Sequence, residues 1–261
     1  MNKLKNNPRV DGFTLVEILA VLAVIAAIIA IGVPAIAKVL QSSRVRNVEG
    51  AANVAKSAVT QYLSKPGSLG IIPVTEGTIP TSEYVTTGTI LTAANIAGGA
   101  TLDNILLAEG VLERPITLRM GPQSSGATGV TAIWSPAVEQ FTGPTTGVLA
   151  NYSTFSRVEC AVSDGINNPG VTGQTAGSAA CAFNLAGSGT LVAGSRVVYL
   201  IVKSAPDADA YQLALDVDGP NLVQNTLAAP AAADQSQGPV VYAKDAGGAG
   251  FVDVYFYLTN I

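Results

Sequence analysis

A long apolar segment near the start of the chain constrains the fold more than any other feature. It runs from Phe13 to Ala37, 25 residues in which Phe, Leu, Ile and Val fill fourteen positions and Glu17 is the only ionisable side chain. As an α-helix this segment is about 37 Å long, because each residue adds about 1.5 Å. The hydrocarbon core of a bilayer is about 30 Å thick. The sequence therefore predicts a helix that is able to span a membrane.

Glu17 is the residue that a plain membrane anchor does not need. On insertion scales an apolar residue contributes roughly −0.3 to −0.6 kcal/mol and a buried acid costs about 2.5–3.5 kcal/mol, so insertion is favourable overall. An ionisable side chain inside such a segment indicates a function with a partner group. A cleaved secretory signal is an alternative that fits poorly, because its apolar region is only about 7–15 residues long. An ordinary single-pass anchor is the other alternative.

The residues around the start of the apolar segment form a motif. Met1–Asp11 is short and carries three basic side chains against one acid, Gly12 follows, and the segment then begins with Phe13, Thr, Leu, Val and Glu17. This pattern resembles the class III signal of type IV pilins and pseudopilins, and the resemblance covers residues 9–45. Beyond those residues it is only general.

The resemblance implies how the chain is processed. In that family a prepilin peptidase cuts after the glycine on the cytoplasmic side and the new terminal amine is methylated. The cut then falls between Gly12 and Phe13, and Phe13 is the methylated residue. Glu17 matches the glutamate near the mature terminus, and Pro34 resembles a proline that many of these pilins carry in the stem. The implied partners are the peptidase, an inner-membrane assembly platform and further copies of the chain.

Elementary electrostatics supports an assembly role for Glu17. Cleavage creates an amine on Phe13, which is a cation in apolar surroundings and can pair with Glu17 of a neighbouring subunit. At about 4 Å and an effective dielectric near 20, such a pair is worth roughly 4 kcal/mol before desolvation. We therefore expect Glu17 to set the register of subunits in a filament, and we expect the pair to form only after processing.

The charge of the chain is divided between its parts. The formal net charge is −4, and removal of a leader with three cations and one anion makes it −6. Residues 65–261 carry 7 basic against 15 acidic side chains, a net charge of −8. An acidic head disfavours indiscriminate binding to nucleic acid, although a local basic spot that binds DNA stays open. The basic leader places the N-terminus in the cytoplasm, so the head is exported.

The predicted fold is α+β. The organisation is a cleaved leader at 1–12, an N-terminal helix at 13–64 that serves as membrane anchor and filament core, and a globular head at 65–261. Apolar residues recur at helical spacing as far as Tyr62, and Lys65-Pro66-Gly67 ends the helix. Gly32 and Pro34 predict a kink or local unwinding near residues 30–34, with a mild bend as the alternative.

The head is predicted to hold an antiparallel sheet that packs on the amphipathic second half of the stem, with long loops between residues 70 and 190. A short helix is predicted from Leu102 to Glu109, ended by Gly110. The predicted strands are Val130–Trp134, Arg196–Lys203, Ala210–Val217, Val240–Ala243 and Phe251–Leu258. In the last of these, Val252, Val254, Phe256 and Leu258 share one face.

Two cysteines, Cys160 and Cys181, fit an exported head, where disulfides persist. A bridge between them closes a loop of about 22 residues and contributes roughly 3 kcal/mol in the chain-entropy model. Two free buried thiols are the alternative. A zinc site is disfavoured, because the chain has no histidine and only these two thiols.

The sequence offers little other chemistry. The absence of histidine excludes Ser-His and Cys-His nucleophile systems, so we expect neither an enzyme nor a cofactor. A weak calcium candidate is the turn with Asp216, Asp218 and Asn221, which gathers oxygen ligands. An ordinary Asp-Gly-Pro turn is the alternative.

Three functions are compatible with these observations. The first is a major pilin, the structural subunit of a type IV pilus that serves adhesion, motility or DNA uptake. Its precursor is held in the inner membrane and then enters an extracellular or periplasmic filament. The second is a pseudopilin of a type II secretion system, and the third is a minor tip pilin that acts as adhesin or DNA receptor. The large head and the presence of Glu17 favour the first.

Overall fold

The computed structural model describes most of the long helix and the core of the head. The described residues are 15–65, 70–75, 102–114, 116–121, 133–135, 140–142, 156–169, 181–186 and 189–261. The chain divides into two compact units, Met1–Ser42 and Ser43–Ile261, and the division lies inside the first helix. The predicted boundaries at residues 12 and 64 are of another kind, since they concern processing and the end of the stem, and they stay predictions.

The first helix, α1, extends from Leu15 to Ser64, 50 residues without a break. It is long and apolar enough to cross a membrane. The prediction of one helix from the apolar segment to Leu63 is confirmed for the described residues. Gly32 and Pro34 lie inside α1, and the helix continues through both, so the local unwinding that we expected there is absent. A proline removes one backbone donor from the ladder, but a long helix keeps its other bonds on either side.

Eight further elements follow α1 in the described residues. They are α2 (Leu102–Ala108), β1 (Ile133–Ser135), β2 (Gln140–Thr142), β3 (Arg157–Val162), β4 (Arg196–Pro206), α3 (Asp207–Asp218), β5 (Val240–Tyr242) and β6 (Phe251–Asn260). Strands β1 and β2 form an antiparallel pair, and the other four form an antiparallel sheet in the order β3-β4-β6-β5. The predicted α+β layout, with a long apolar helix and an antiparallel sheet, is confirmed.

The second half of α1 belongs to the core of the head. Its six buried residues recur at helical spacing and pack in one cluster with the β3, β4, β5 and β6 side chains of one sheet face: Val45, Val48, Ala52, Ala55, Ala58 and Val59. Each fully buried Val or Leu side chain stabilises the fold by about 1.5–3 kcal/mol. This is the amphipathic packing that the sequence predicted.

Strand β6 also alternates as predicted. Val252, Val254 and Leu258 are buried in the α1 cluster, and Phe256 packs against it. Tyr255 and Tyr257 lie in a second cluster on the other face, with Tyr199 and Phe183. Two faces with different partners follow from the period of two residues along a strand.

The strand predicted at Ala210–Val217 is wrong, because these residues belong to helix α3. Ala210, Leu213 and Ala214 are buried and Val217 is partly buried, a spacing of three and four residues that a helix places on one face. Asp207 and Asp209 stand in its first turn, where acidic side chains are favourable.

Three other strands were missed or only partly placed, since β2 and β3 were not predicted and β1 was placed only in part. β3, an edge strand of the main sheet, was not predicted because Arg157 and Glu159 interrupt its short run of apolar residues. The predicted strand at Val130–Trp134 overlaps β1 at its end, and its first three residues lie outside the described residues. The short helix predicted at residues 102–109 is confirmed as α2, with Gly110 following at a φ of 66°.

Candidate functional site

Glu17 stands in the first turn of α1 and its side chain is exposed. No other ionisable side chain occurs between Phe13 and Ala37, so this carboxylate interrupts a surface that is otherwise apolar. Gly12 and Phe13 lie outside the described residues, and the processing prediction for them stays a prediction. An acid in the first turn is also favoured by the helix dipole, which offers a local reason for its place.

The apolar side chains around Glu17 are exposed on every side of α1. All fifteen Leu, Ile and Val side chains from Leu15 to Leu40 are exposed, from 46% at Ile25 to 77% at Ile31. A water-soluble protein rarely exposes a contiguous apolar surface of this size. A helix that is apolar all round is stable only inside a membrane or among other apolar helices. This half of α1 therefore requires an apolar environment.

Pro34 lies in the same exposed half of the helix. Nothing lies within 4 Å of the position that a Cβ atom on Gly32 would take, so the glycine meets no neighbour within the subunit. The structure places Glu17 and Pro34 on one continuous helix, and it does not test their assigned roles in assembly.

A charged contact that the sequence did not predict fixes the start of the buried half of α1. Arg44 donates from Nε to Asp209 Oδ2 at 2.6 Å and from its second guanidinium nitrogen to Oδ1 at 3.0 Å. The Asp209 side chain is 2% exposed and that of Arg44 is 38% exposed. Hydrogen bonding to Asp209 raises the pKa of Arg44, so the guanidinium is charged throughout the ordinary pH range. A bidentate arginine–carboxylate pair combines strength with a fixed geometry.

A second contact holds the other end of the helix. Lys65, just beyond α1, donates to the backbone carbonyl of Glu109 and lies 3.3 Å from its Oε2 atom. Tyr62 packs against the core nearby, and its burial, followed by the charge of Glu109, raises its pKa. The head thus contacts the second half of α1 near both of its ends.

The two cysteines are both buried, in different clusters. Cys160 lies on β3 in the cluster that includes α1, and its backbone exchanges hydrogen bonds with Thr75. Cys181 lies in the cluster on the other face of the sheet, together with Phe183. The predicted disulfide stays a prediction.

The three calcium candidates lie at the end of α3 and beyond it. Asp216 is exposed and accepts a hydrogen bond of 2.7 Å from Gln212. Asn221 is exposed. Asp218 turns inward, where its Oδ1 atom accepts a hydrogen bond of 3.1 Å from the amide of Val240. Within the described residues no group of three or more His, Cys, Asp or Glu side chains is arranged to hold a metal. Calcium binding stays an untested prediction.

Asp218 is chemically unusual among the described acids. Its Oδ2 atom is buried with no hydrogen-bond partner, and Gly238 packs so closely that a Cβ there would lie 2.4 Å from the carboxyl carbon. Burial raises the pKa of Asp218 to about 8. A carboxyl in that environment holds its proton near neutral pH. Gly238 is visible in the sequence, but its close approach to Asp218 can be recognised only from the fold.

Charged contacts join the head to the second half of α1. Histidine is absent from the whole chain. In the parts of the chain that the structure describes, Arg44 in α1 and Lys65 just beyond it pair with acids of the head. The chemistry that remains is one carboxylate in an exposed apolar helix and a head attached to the other half of that helix.

Comparison with known proteins adds one finding at the N-terminus. Residues 7–33 match the family model described as the prokaryotic N-terminal methylation motif, the class III signal peptide of type IV pilins. No curated protein matches the chain, and no solved structure does. The match covers the motif and most of the apolar segment, so it supports a precursor of the pilin or pseudopilin type. It gives no information about the head.

Proposed function

We propose that this chain, a precursor with the class III signal motif of type IV pilins, is the repeated, major subunit of a type IV pilus. Prepilin peptidase cleaves it between Gly12 and Phe13, and the Phe13 amine is methylated. The mature subunit is held in the inner membrane by the first half of α1 until an assembly platform adds it to the filament. The filament then serves adhesion, surface motility or DNA uptake. The role is structural rather than enzymatic.

The observation that carries this proposal is the exposure of α1 from Leu15 to Leu40, where every large apolar side chain faces outward. In the membrane, lipid covers this surface. When the subunit leaves the membrane, only the same surface on other subunits can cover it without contact with water. A bundle of stems inside a filament meets that requirement, and a monomer outside the membrane does not.

Glu17 supplies the specificity that apolar packing lacks. Apolar helices slide past one another at little cost, because dispersion and the hydrophobic effect are not directional. A carboxylate in the first turn pairs with the Phe13 amine of a neighbouring subunit and so selects one axial position. Removal of one partner from a buried pair costs about 3–5 kcal/mol. The pair also makes assembly depend on cleavage, since the amine exists only in the processed chain.

The head supports the same function from outside the bundle. Its net charge of −8 favours solubility of a filament surface on which the head is repeated many times. The Arg44–Asp209 pair and the buried face of α1 attach each head to its own stem. A strong attachment is needed because force on a filament passes between stems and heads.

Electron microscopy of sheared surface filaments, with mass spectrometry of their subunit, tests the proposal. We expect long filaments whose principal protein begins at a methylated Phe13. A strain with this chain deleted provides the control and is expected to lack them. Absence of surface filaments together with a loss of protein secretion on deletion would instead indicate a pseudopilin. Presence of the chain in only trace amounts, in filaments built from another subunit, would indicate a minor pilin.

A further inference from the structure

Two loops contact each other at the end of the main sheet where β3 ends and β4 begins. Thr190 Oγ1 donates to the Gly165 carbonyl at 2.7 Å, and the Gly194 amide donates to the Ser163 carbonyl at 2.8 Å. Gly165 has a φ of +74°, and a Cβ there would lie 2.9 Å from the amide nitrogen of Ala193. Only glycine accommodates this approach without strain. The relative position of the loops is therefore fixed by backbone contacts.

Asp164 fixes the first loop further. Its Oδ1 atom accepts hydrogen bonds of 2.9 Å from the amides of Ile166 and Asn167, and Oδ2 accepts one of 2.8 Å from the Asn167 side chain. This is an Asx turn, in which the side chain substitutes for a backbone acceptor. The carboxylate bonds within its own turn, so it orders the loop that presents Ile166.

Three apolar side chains project from this ordered end. Ile166 is 75% exposed and Val192 is 74% exposed. Ile261, 46% exposed, lies at the same end, because its backbone exchanges hydrogen bonds of 2.9 and 3.0 Å with Arg196 at the start of β4. We name Ile166, Val192 and Ile261 the loop-end patch. Rigid loops that expose several large apolar side chains mark an interaction site more often than scattered exposed residues do.

A second exposed apolar side chain lies at the opposite end of the same sheet. Phe251 is 56% exposed, begins β6 and pairs with Pro206. Residues 246–252 contain no ionisable side chain. Since β6 has ten residues, its two ends are about 33 Å apart. The patch and Phe251 are therefore separate surfaces on one head, and they cannot contact each other within a subunit.

We propose that the loop-end patch packs against the Phe251 end of a second copy of this chain, as a head-to-head contact within the filament. The inference rests on the proposed function. An open polymer needs a heterologous interface, made from two different surfaces that every copy carries. The two ends of β6 supply such a pair. Heads with a net charge of −8 repel one another, so they approach most readily where their surfaces are apolar.

The chemistry of the patch favours another head over an anionic partner. Residues 163–168 and 190–195 include no basic side chain, and Asp164, their one acid, bonds within its own turn. Arg196, which follows at the start of β4, donates from its side chain to the Ile72 carbonyl within the same subunit. A nucleic acid or anionic lipid requires cations at its contact, and the acidic head repels both. A like-charged copy needs only the complementary apolar surface, with aromatic Phe251 as its centre.

Site-specific photo-crosslinking in sheared filaments tests the contact. The full chain carries the photoreactive residue p-benzoylphenylalanine in place of Ile166 or, in a second strain, of Val192. The matched control carries it in place of Leu227, which is 70% exposed in the turn between Thr226 and Ala229 and outside the patch. We expect covalent subunit dimers and higher multimers from the first two strains, at least tenfold more than from the control. Mass spectrometry is expected to locate the bond at or next to Phe251.

Further variants separate this inference from the proposed function. Phe251→Asp is expected to reduce the crosslink from position 166 at least tenfold, whereas Leu227→Asp leaves it unchanged. Both variants are checked for normal levels of processed, protease-resistant subunit. If filaments form but positions 166 and 192 yield no more dimer than position 227, the contact is wrong and the filament proposal stands. A crosslink to a different protein also overturns it. If the native chain forms no filaments, the proposed function itself fails.

Discussion

The two halves of α1 share one backbone but have opposite surroundings. From Leu15 to Leu40 every large apolar side chain is exposed, whereas from Val45 to Val59 six residues are buried in the core of the head. The compact units divide between Ser42 and Ser43, at the point where this change occurs. The comparison shows that one continuous helix can serve two functions, because each of its segments packs against different partners.

The largest expected effect distinguishes the buried side from the exposed side of the second half of α1. Val48→Asp places a carboxylate in the buried face and is expected to destabilise the head by about 4 kcal/mol or more, because the charge has no partner there. Val54→Asp is the matched control, since Val54 is 52% exposed on the same helix. Its effect is expected to stay within about 0.5 kcal/mol. Denaturant unfolding of the full chain in detergent, followed by near-ultraviolet circular dichroism, measures both.

Equal loss of stability in these two variants would mean that the second half of α1 is not packed as described. The comparison between the halves would then have no basis.

A complementary pair of variants, Val24→Ala and Val59→Ala, extends the test to both halves: only the second is expected to destabilise the head, by about 1–3 kcal/mol.

The next effect concerns the charged contact beside the division. Arg44→Met retains the apolar stem of the side chain and leaves the Asp209 carboxylate buried without its bidentate partner. We expect a loss of about 2–3 kcal/mol, below the 3–5 kcal/mol of a fully buried pair, because the Arg44 side chain is 38% exposed. Arg46→Met, at an exposed site two residues away, is the control and is expected to be neutral.

Unfolding midpoints of the single variants, Asp209→Asn and the double variant measure the coupling between the two residues. A coupling near zero would show that the contact does not fix the second half of α1 to helix α3. A double variant that loses much less than the sum of the singles supports the account.

An effect that depends on pH comes from Asp218, inside the head and far along the chain from α1. Its pKa is about 8 in the folded protein and near 3.8 when exposed, so the folded state keeps a proton that the unfolded state releases. This contribution to stability is complete below about pH 4, falls as the pH rises towards 8 and is constant above that. Asp218→Asn carries no titrating proton, so we expect a flatter pH profile and a gain over the native chain that is larger at about pH 9 than at about pH 5.

Thermal unfolding across that pH range measures the difference between the two chains. Parallel profiles for the native chain and the variant would show that Asp218 is ionised in the folded head. Asp216→Asn, at an exposed position on the same helix, is the control for the loss of a surface carboxylate.

Sequence patterns predicted the elements with a strong, local hydrophobic period. Helix α1 was visible because its apolar and amphipathic halves are both long, and β4 and β6 were visible because they are runs of β-branched and aromatic residues. Helix α3 was misread as a strand because the short stretch Ala210–Val217 alternates imperfectly and fits both periods. The buried residues of this stretch, which are known only from the fold, have the spacing of a helix.

The sequence predicted the part of the site whose residues are adjacent in the chain. It did not predict the contacts between residues that are far apart in the chain. Glu17 and its apolar surroundings are adjacent in sequence, so a motif reveals them. Arg44 and Asp209 are 165 residues apart, and Asp218 meets Gly238 only through the packing of α3 beside β5. No local pattern encodes such pairs, because the groups that define their environment come from other elements.

The most direct test of the account is replacement of Glu17 by Ala in cells that make no native copy of the chain. Glu49→Ala, a change to an acid in the second half of the same helix, is the matched control. We predict that Glu17→Ala is inserted in the membrane, processed at Gly12 and folded in its head, yet yields at least tenfold fewer filaments by negative-stain microscopy, while Glu49→Ala assembles. Normal filament numbers with Glu17→Ala would contradict the claim that the first half of α1 joins subunits through this carboxylate.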